Sequence, residues 1–422
     1  MNKKIVTGLL LSMAFAANAY EAHEWGTFTS VVGTNGKIIQ GLHHEEEALP
    51  NFVYDLSRVE KTNLSNRGTR QDPPFNGGGP VTRGFTPQSM DLMPIPTFTE
   101  RITQKMETPV IYFYSDKEID VNVRVDFPNG VISQWYPKTS KQNPSVEAKN
   151  GYAVWDVQVT TEKEGTLPNT SGNSIWNPSR KVNSNIIKAG TDAEKLIFYR
   201  GLADFDVPLT VFSKNGFVVI ENKSNQDING LTLLNNRAGK KELITIASLA
   251  ANSKVSVALT KNQKGYESFD SFETFLKASK KVIVSDLVAS GLYLDESKAM
   301  VGTWENGYFQ TEGLRLLYVL PRVWTDEILP LAMTPAPKNL VRTLVGRVEI
   351  LTDLDEEEVL KFVNSDVAND KVSIFDINGR QMQGLGHFPE PKLRRALELN
   401  ISKEVKRKVN DLITSMNRGL FN

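Results

Sequence analysis

The chain has 422 residues, no cysteine, four histidines, and 49 basic against 49 acidic side chains. That length corresponds to two domains or to one large domain with an appendage; 40% hydrophobic and 23% charged residues are ordinary globular values and exclude wholesale disorder and a membrane-spanning bundle. The neutral balance argues against a nucleic-acid partner, and the lack of cysteine removes disulfides, thiolate metal sites, Fe–S clusters and a cysteine nucleophile.

Residues 1–19 read as a secretory signal. Lys3 and Lys4 form its positive start, residues 5–17 its short apolar run, and Ala17-Asn18-Ala19 a small-x-small cleavage pattern that leaves Tyr20 first in the mature chain. An apolar run of this length is too short for a bilayer, which needs about 20 residues. The chain is therefore expected in the periplasm or outside the cell, without a transmembrane segment.

From residue 20 to 265 the pattern is mostly strands. Alternating or β-branched runs cover 26–32, 108–114, 119–127, 131–136, 152–160, 195–199, 209–213, 216–222, 230–235, 242–248 and 253–260. Asn35-Gly36, Asn129-Gly130, Asn150-Gly151, Asn215-Gly216 and Asn229-Gly230 lie between apolar runs and predict antiparallel hairpins, because type I′ turns need two residues at positive φ. Hairpins at that density suggest a sandwich or stacked sheets. Residues 66–96, rich in proline and holding Gly77-Gly78-Gly79-Pro80, form a long loop over the sheets; no Gly-Lys-Ser/Thr follows, so this is not a phosphate cradle.

The period changes near Tyr266. Phe272, Leu276, Ser279, Ile283 and Leu287 share one helical face that ends at Gly291, and a second helix is predicted over 295–305. Strands follow over 313–320 and 340–351. Asp353 is expected to cap a helix through Val363, with Asp355 to Glu358 favourably placed for its dipole. An amphipathic helix closes the chain along Ile401, Val405, Val409, Leu412, Ile413 and Met416. The expected fold is α+β: a β-rich, sandwich-like domain at 20–265 and a mixed helix and strand region at 266–422.

No Gly-x-Ser-x-Gly, Ser-x-x-Lys, His-Glu-x-x-His, Walker or Gly-x-Gly-x-x-Gly motif occurs. Three of the four histidines nevertheless cluster, in His23-Glu24-Trp25-Gly26-Thr27-Phe28-Thr29 and in His43-His44-Glu45-Glu46-Glu47. A two-residue turn at Asn35-Gly36 would set Glu24 opposite Glu47 and Thr27 opposite His44. Imidazole with carboxylate is ordinary ligation for Zn²⁺ or another divalent metal. On this reading His23, His43 and His44 are ligands, and one of Glu24, Glu45, Glu46 or Glu47 is a further ligand or the general base of a metal-dependent hydrolase. Cleavage after Ala22 would instead expose the amine of His23 for copper. The competing account is a structural network of Glu paired to Arg or Lys.

A second concentration joins Trp304, Glu305, Tyr308, Phe309, Glu312, Arg315 and Arg322, a groove candidate for a sugar or peptide, with Trp135-Tyr136 as a stacking platform. His387, in a loop before the final helices, reaches a site only if the C-terminal region folds back on the N-terminal hairpin. The alternative function is accordingly a non-catalytic envelope protein that binds a small molecule, a glycan or a protein partner.

His23-Glu24-Trp25-Gly26-Thr27-Phe28-Thr29, Glu45-Glu46-Glu47-Ala48-Leu49-Pro50, Met106-Glu107-Thr108-Pro109-Val110-Ile111-Tyr112-Phe113-Tyr114 and the stretch from Gly291 to Arg322 resemble a group of bacterial exported proteins. The resemblance covers most of the mature chain, with the heptapeptide at His23 its most specific part. It implies export and a single multi-part architecture, and it supplies no catalytic residues.

Overall fold

The computed structural model describes residues 20–42, 49–55, 101–143, 149–365 and 385–419. Among these residues it is an α+β fold of three sheets, twelve-, six- and three-stranded, with helices gathered toward the C-terminus.

The large sheet is built around β1 (Tyr20–Val32), which is buried along nearly its whole length. On one side β1 pairs antiparallel with β2 (Val110–Ser115) and with Gln104–Met106. On the other it runs parallel to β4 (Asn339–Ile350), His23 against Val341 through Val32 against Ile350. The next strand outward, β3 (Gly313–Val319), joins β4 to Ile228–Asn236. The sheet thus takes strands from both sides of Tyr266, where the helices begin. The parallel pair departs from the all-antiparallel expectation, because it joins segments more than 300 residues apart that no local turn connects.

The strand runs fall where alternation puts them, but the Asn-Gly pairs do several jobs. Asn215-Gly216, with both φ positive, closes the two-residue hairpin between Leu209–Lys214 and Phe217–Asn222. Gly230 (φ 60°) instead sits at a register shift within Ile228–Asn236, as a bulge does. Asn129-Gly130 turns the chain from one sheet into another.

At Asn35-Gly36 the partners are Val31–Ile39 and Val32–Ile38, one residue away from the expected register. The loop holds three residues, with Gly36 at φ 73° and the Gly33 amide bonded to Lys37 O at 3.1 Å. This hairpin is two residues deep, so the partners of Glu24 are Ile111 and Arg342 in place of Glu47.

Each face of the large sheet has its own core. Phe28, Phe113, Val348 and Leu316 pack toward the smaller sheets. Trp25, Tyr112, Leu317 and Val345 pack under α1 (Phe272–Ala289) and α2 (Leu294–Thr303). Trp135 and Tyr136 are core residues, about 2–3% exposed, and so offer no stacking platform. The short helix α3 (Arg322–Ile328) precedes β4.

Three C-terminal helices, α4 (Asp353–Val363), α5 (Pro389–Glu398) and α6 (Lys403–Gly419), make a third cluster around Phe362, Leu393 and Leu412. Thr352, one residue before the expected Asp353, caps α4 and forms a capping box with Asp355. Glu356 accepts from the Thr34 amide at 3.0 Å and pairs with Arg395 at 2.6 Å. The C-terminal helices therefore dock on the turn that follows β1.

Candidate functional site

The two neighbours at the head of the heptapeptide leave β1 on opposite faces, as period two requires. His23 Nδ1 lies 2.8 Å from Glu296 Oε2 in α2, and Glu296 also accepts from the Tyr114 hydroxyl at 2.6 Å and the Tyr293 amide at 2.7 Å. The Tyr293 ring covers the imidazole at 4.5 Å, leaving Nε2 buried without a partner. Glu24 binds Arg342 Nε at 2.5 Å and accepts from the Tyr199 hydroxyl, while Arg342 goes on to Asp326 at 2.8 Å and Leu329 O at 2.6 Å. Burial, and then the charge of Glu24, push the Tyr199 hydroxyl well above its ordinary range, so it stays a donor. Both side chains are at most 1% exposed.

Among the described residues, no three His, Asp or Glu side chains form a metal-ligand set. His43, His44, Glu45, Glu46 and Glu47 lie outside the described residues, as does the 66–96 loop.

A cleft of about 650 Å³ opens elsewhere, where the C-terminal end of β4 and the start of β3 meet α4 and α5. That volume is in the range of small-molecule sites, about 300–1,000 Å³. Three local distortions converge on it. The six residues Glu305–Gln310 form a π-helical turn that brings Asn306 and Gln310 to the wall; such turns concentrate at functional sites. Phe388 occupies the left-handed region (φ 58°, ψ 57°), which a bulky aromatic adopts only when its surroundings hold it there. Gly386, two residues earlier, is also left-handed (φ 60°).

Behind the wall sits a buried charge network. Glu349 receives Arg315 Nε at 2.8 Å and Arg347 Nη2 at 2.7 Å. Burial opposes charge on Glu349, but the two guanidiniums outweigh it and hold its carboxyl below the usual range. Arg347 also stacks 3.9 Å over Tyr308, whose hydroxyl donates to Glu107, and lies 5.1 Å from the Phe388 ring. Its Nη2 is 2.9 Å from His387 Nε2; a guanidinium only donates, so this imidazole nitrogen accepts. The strained Phe388 thus holds His387 against a fixed cation at the cleft wall.

Arg237 closes another side, pairing with Asp355 at 3.3 Å and Glu358 at 3.2 Å. The acidic run at the start of α4 is therefore both helix-start chemistry and cleft wall. Lys392 completes the lining, its Nζ donating to Leu385 O at 2.6 Å.

The residues expected at the second concentration divide. Glu312 and His387 line the cleft, and Arg315 supports it from behind. Trp304 is 2% exposed and stacked on Tyr308 at 5.0 Å, beneath the surface. Glu305 turns to Lys280 at 2.5 Å, and Arg322 binds Asp326 at 2.8 Å and Leu340 O at 3.0 Å, so neither lines the cleft. Sequence reasoning missed Arg347, Glu349, Asn306, Gln310 and Lys392. One signal was present: Arg347 and Glu349 interrupt the apolar run of β4 on a single face.

No family model matches the chain, and no curated protein matches it in sequence.

Proposed function

We propose that this is an exported binding protein that holds a polyhydroxylated ligand of the saccharide class in the cleft between the end of β4 and helices α4 and α5. The observation that carries the reading is the mixture of groups on the wall. The amides of Asn306 and Gln310 and the carboxylate of Glu312 make no side-chain hydrogen bond within the described chain, and they stand beside the fixed ion pairs of Arg237. A sugar hydroxyl both donates and accepts, and it is matched by amides and carboxylates presented together. Phe388 adds one apolar surface.

The volume fits a short oligosaccharide, and the rigid Glu349 network presets the wall, which limits the ordering cost of binding. Metal-dependent hydrolysis rests on His43, His44 and Glu45 to Glu47, outside the described residues. His23 and Glu24 are held on opposite faces by Glu296 and Arg342, and this arrangement favours the structural role for them.

Isothermal titration of the mature protein with neutral and acidic di- and trisaccharides tests the reading. Replacing Asn306 and Gln310 together by Ala should weaken binding by about tenfold or more, since each lost hydrogen bond is worth about 1 kcal/mol. Absence of millimolar binding, or affinity unchanged in the double variant, contradicts it.

A further inference from the structure

Within the saccharide reading of the cleft, on which this inference rests, one cation stands apart from the ion pairs of the wall. Asp355 and Glu358 share Arg237, and Glu349 is neutralised by Arg315 and Arg347. Glu312 is exposed to solvent. His387 faces Arg347 through an accepting nitrogen. Lys392 remains.

It projects from α5 into the lining, half-buried, and no carboxylate among the described residues comes within ion-pair distance of it. Its one hydrogen bond goes to a neutral acceptor, Leu385 O. An ammonium has three donors, so two remain for a ligand. Burial already disfavours its charge and pushes it below the ordinary lysine range, although Asp355, Glu349 and Glu358 pull the other way from a distance. An unpaired buried cation is costly unless a partner brings the opposite charge.

We propose that the partner is the ligand, and that the cleft selects an acidic saccharide whose carboxylate pairs with Lys392. In this arrangement the amides of Asn306 and Gln310 and the carboxylate of Glu312 take the hydroxyls, while Lys392 distinguishes a uronate from the neutral sugar of the same shape. Lys392 is a specificity residue and makes no covalent bond.

The test compares matched trisaccharides, uronate and neutral, in gluco-, galacto- and manno-configurations, titrated by calorimetry into the mature protein and into Lys392→Gln and Lys392→Arg. The wild type is expected to bind the best uronate about tenfold or more tighter than its neutral counterpart. Lys392→Gln should bring the pair within about twofold, and Lys392→Arg should keep the preference. Equal binding of uronate and neutral sugar by the wild type, or a preference that survives Lys392→Gln, overturns the acidic-ligand proposal and leaves the saccharide cleft standing. Binding of neither series overturns both.

Discussion

Two buried Arg–Glu networks are anchored on the same strand, β4, and do different work. Near the start of β4, Arg342 meets Glu24, Tyr199 and Leu329 O in the interior and reaches the half-exposed Asp326, with both oxygens of Glu24 engaged. Near its end, Arg347 and Arg315 share Glu349, but that network backs onto open space and touches His387 on a strained loop. The difference is local geometry rather than chemistry. A buried ion pair by itself says little, and what marks a site is the nearby distortion together with polar groups that lack protein partners.

Breaking the interior network should have a large effect. Glu24→Ala leaves the buried Nε of Arg342 without its carboxylate, with only the half-exposed Asp326 as counter-charge, and is expected to cost about 3 kcal/mol in urea unfolding. Its folded fraction should keep wild-type ligand affinity. Glu349→Gln sharpens the contrast: it should cost about 2–4 kcal/mol and also weaken saccharide binding, because the wall it fixes loosens. A variant of Glu24 that loses affinity at full folding, or a variant of Glu349 that loses stability alone, would erase the distinction.

The two sites should also differ with pH. The folded carboxyl of Glu349 lies below its unfolded value of 4.5, so its stabilising contribution is present above that value and is lost as pH falls through the lower folded value. Acid unfolding of the wild type should steepen below about pH 4.5, and Glu349→Gln should flatten that limb. An unchanged acid limb in the variant would show that Glu349 contributes nothing there.

Lys392 gives a smaller effect of opposite sign. Its folded value is lowered by burial, so the native state binds protons less readily than the unfolded chain, and Lys392→Met should raise stability slightly near neutral pH. Thermal unfolding at matched ionic strength measures this; a lower melting temperature would contradict the unpaired state of the ammonium.

Much of the scaffold was legible because periods of 2 and 3.6 are local properties. Residues 353–363 and the burial stripe Ser279, Ile283 and Leu287 read directly from the chain. Pairing partners do not: nothing near Trp25 points to Thr343, and the hairpin at Gly36 pairs only Val31 and Val32, so Glu24 lies between Ile111 and Arg342 from distant strands. The cleft was half legible. Glu312, Arg315 and His387 stood out by type, yet their meeting place depends on α5 returning to the end of β1. Lys392 was invisible because a helix lysine ordinarily faces solvent, and only the tertiary fold turns this one inward.

Hydrogen exchange of the protein, with and without its best-binding trisaccharide, tests whether ligand enters at the C-terminal cleft. Slowed exchange is expected in residues 305–313 and 385–392, with β1 around His23 and Glu24 unchanged. Protection centred on β1, with none in those two segments, would contradict it.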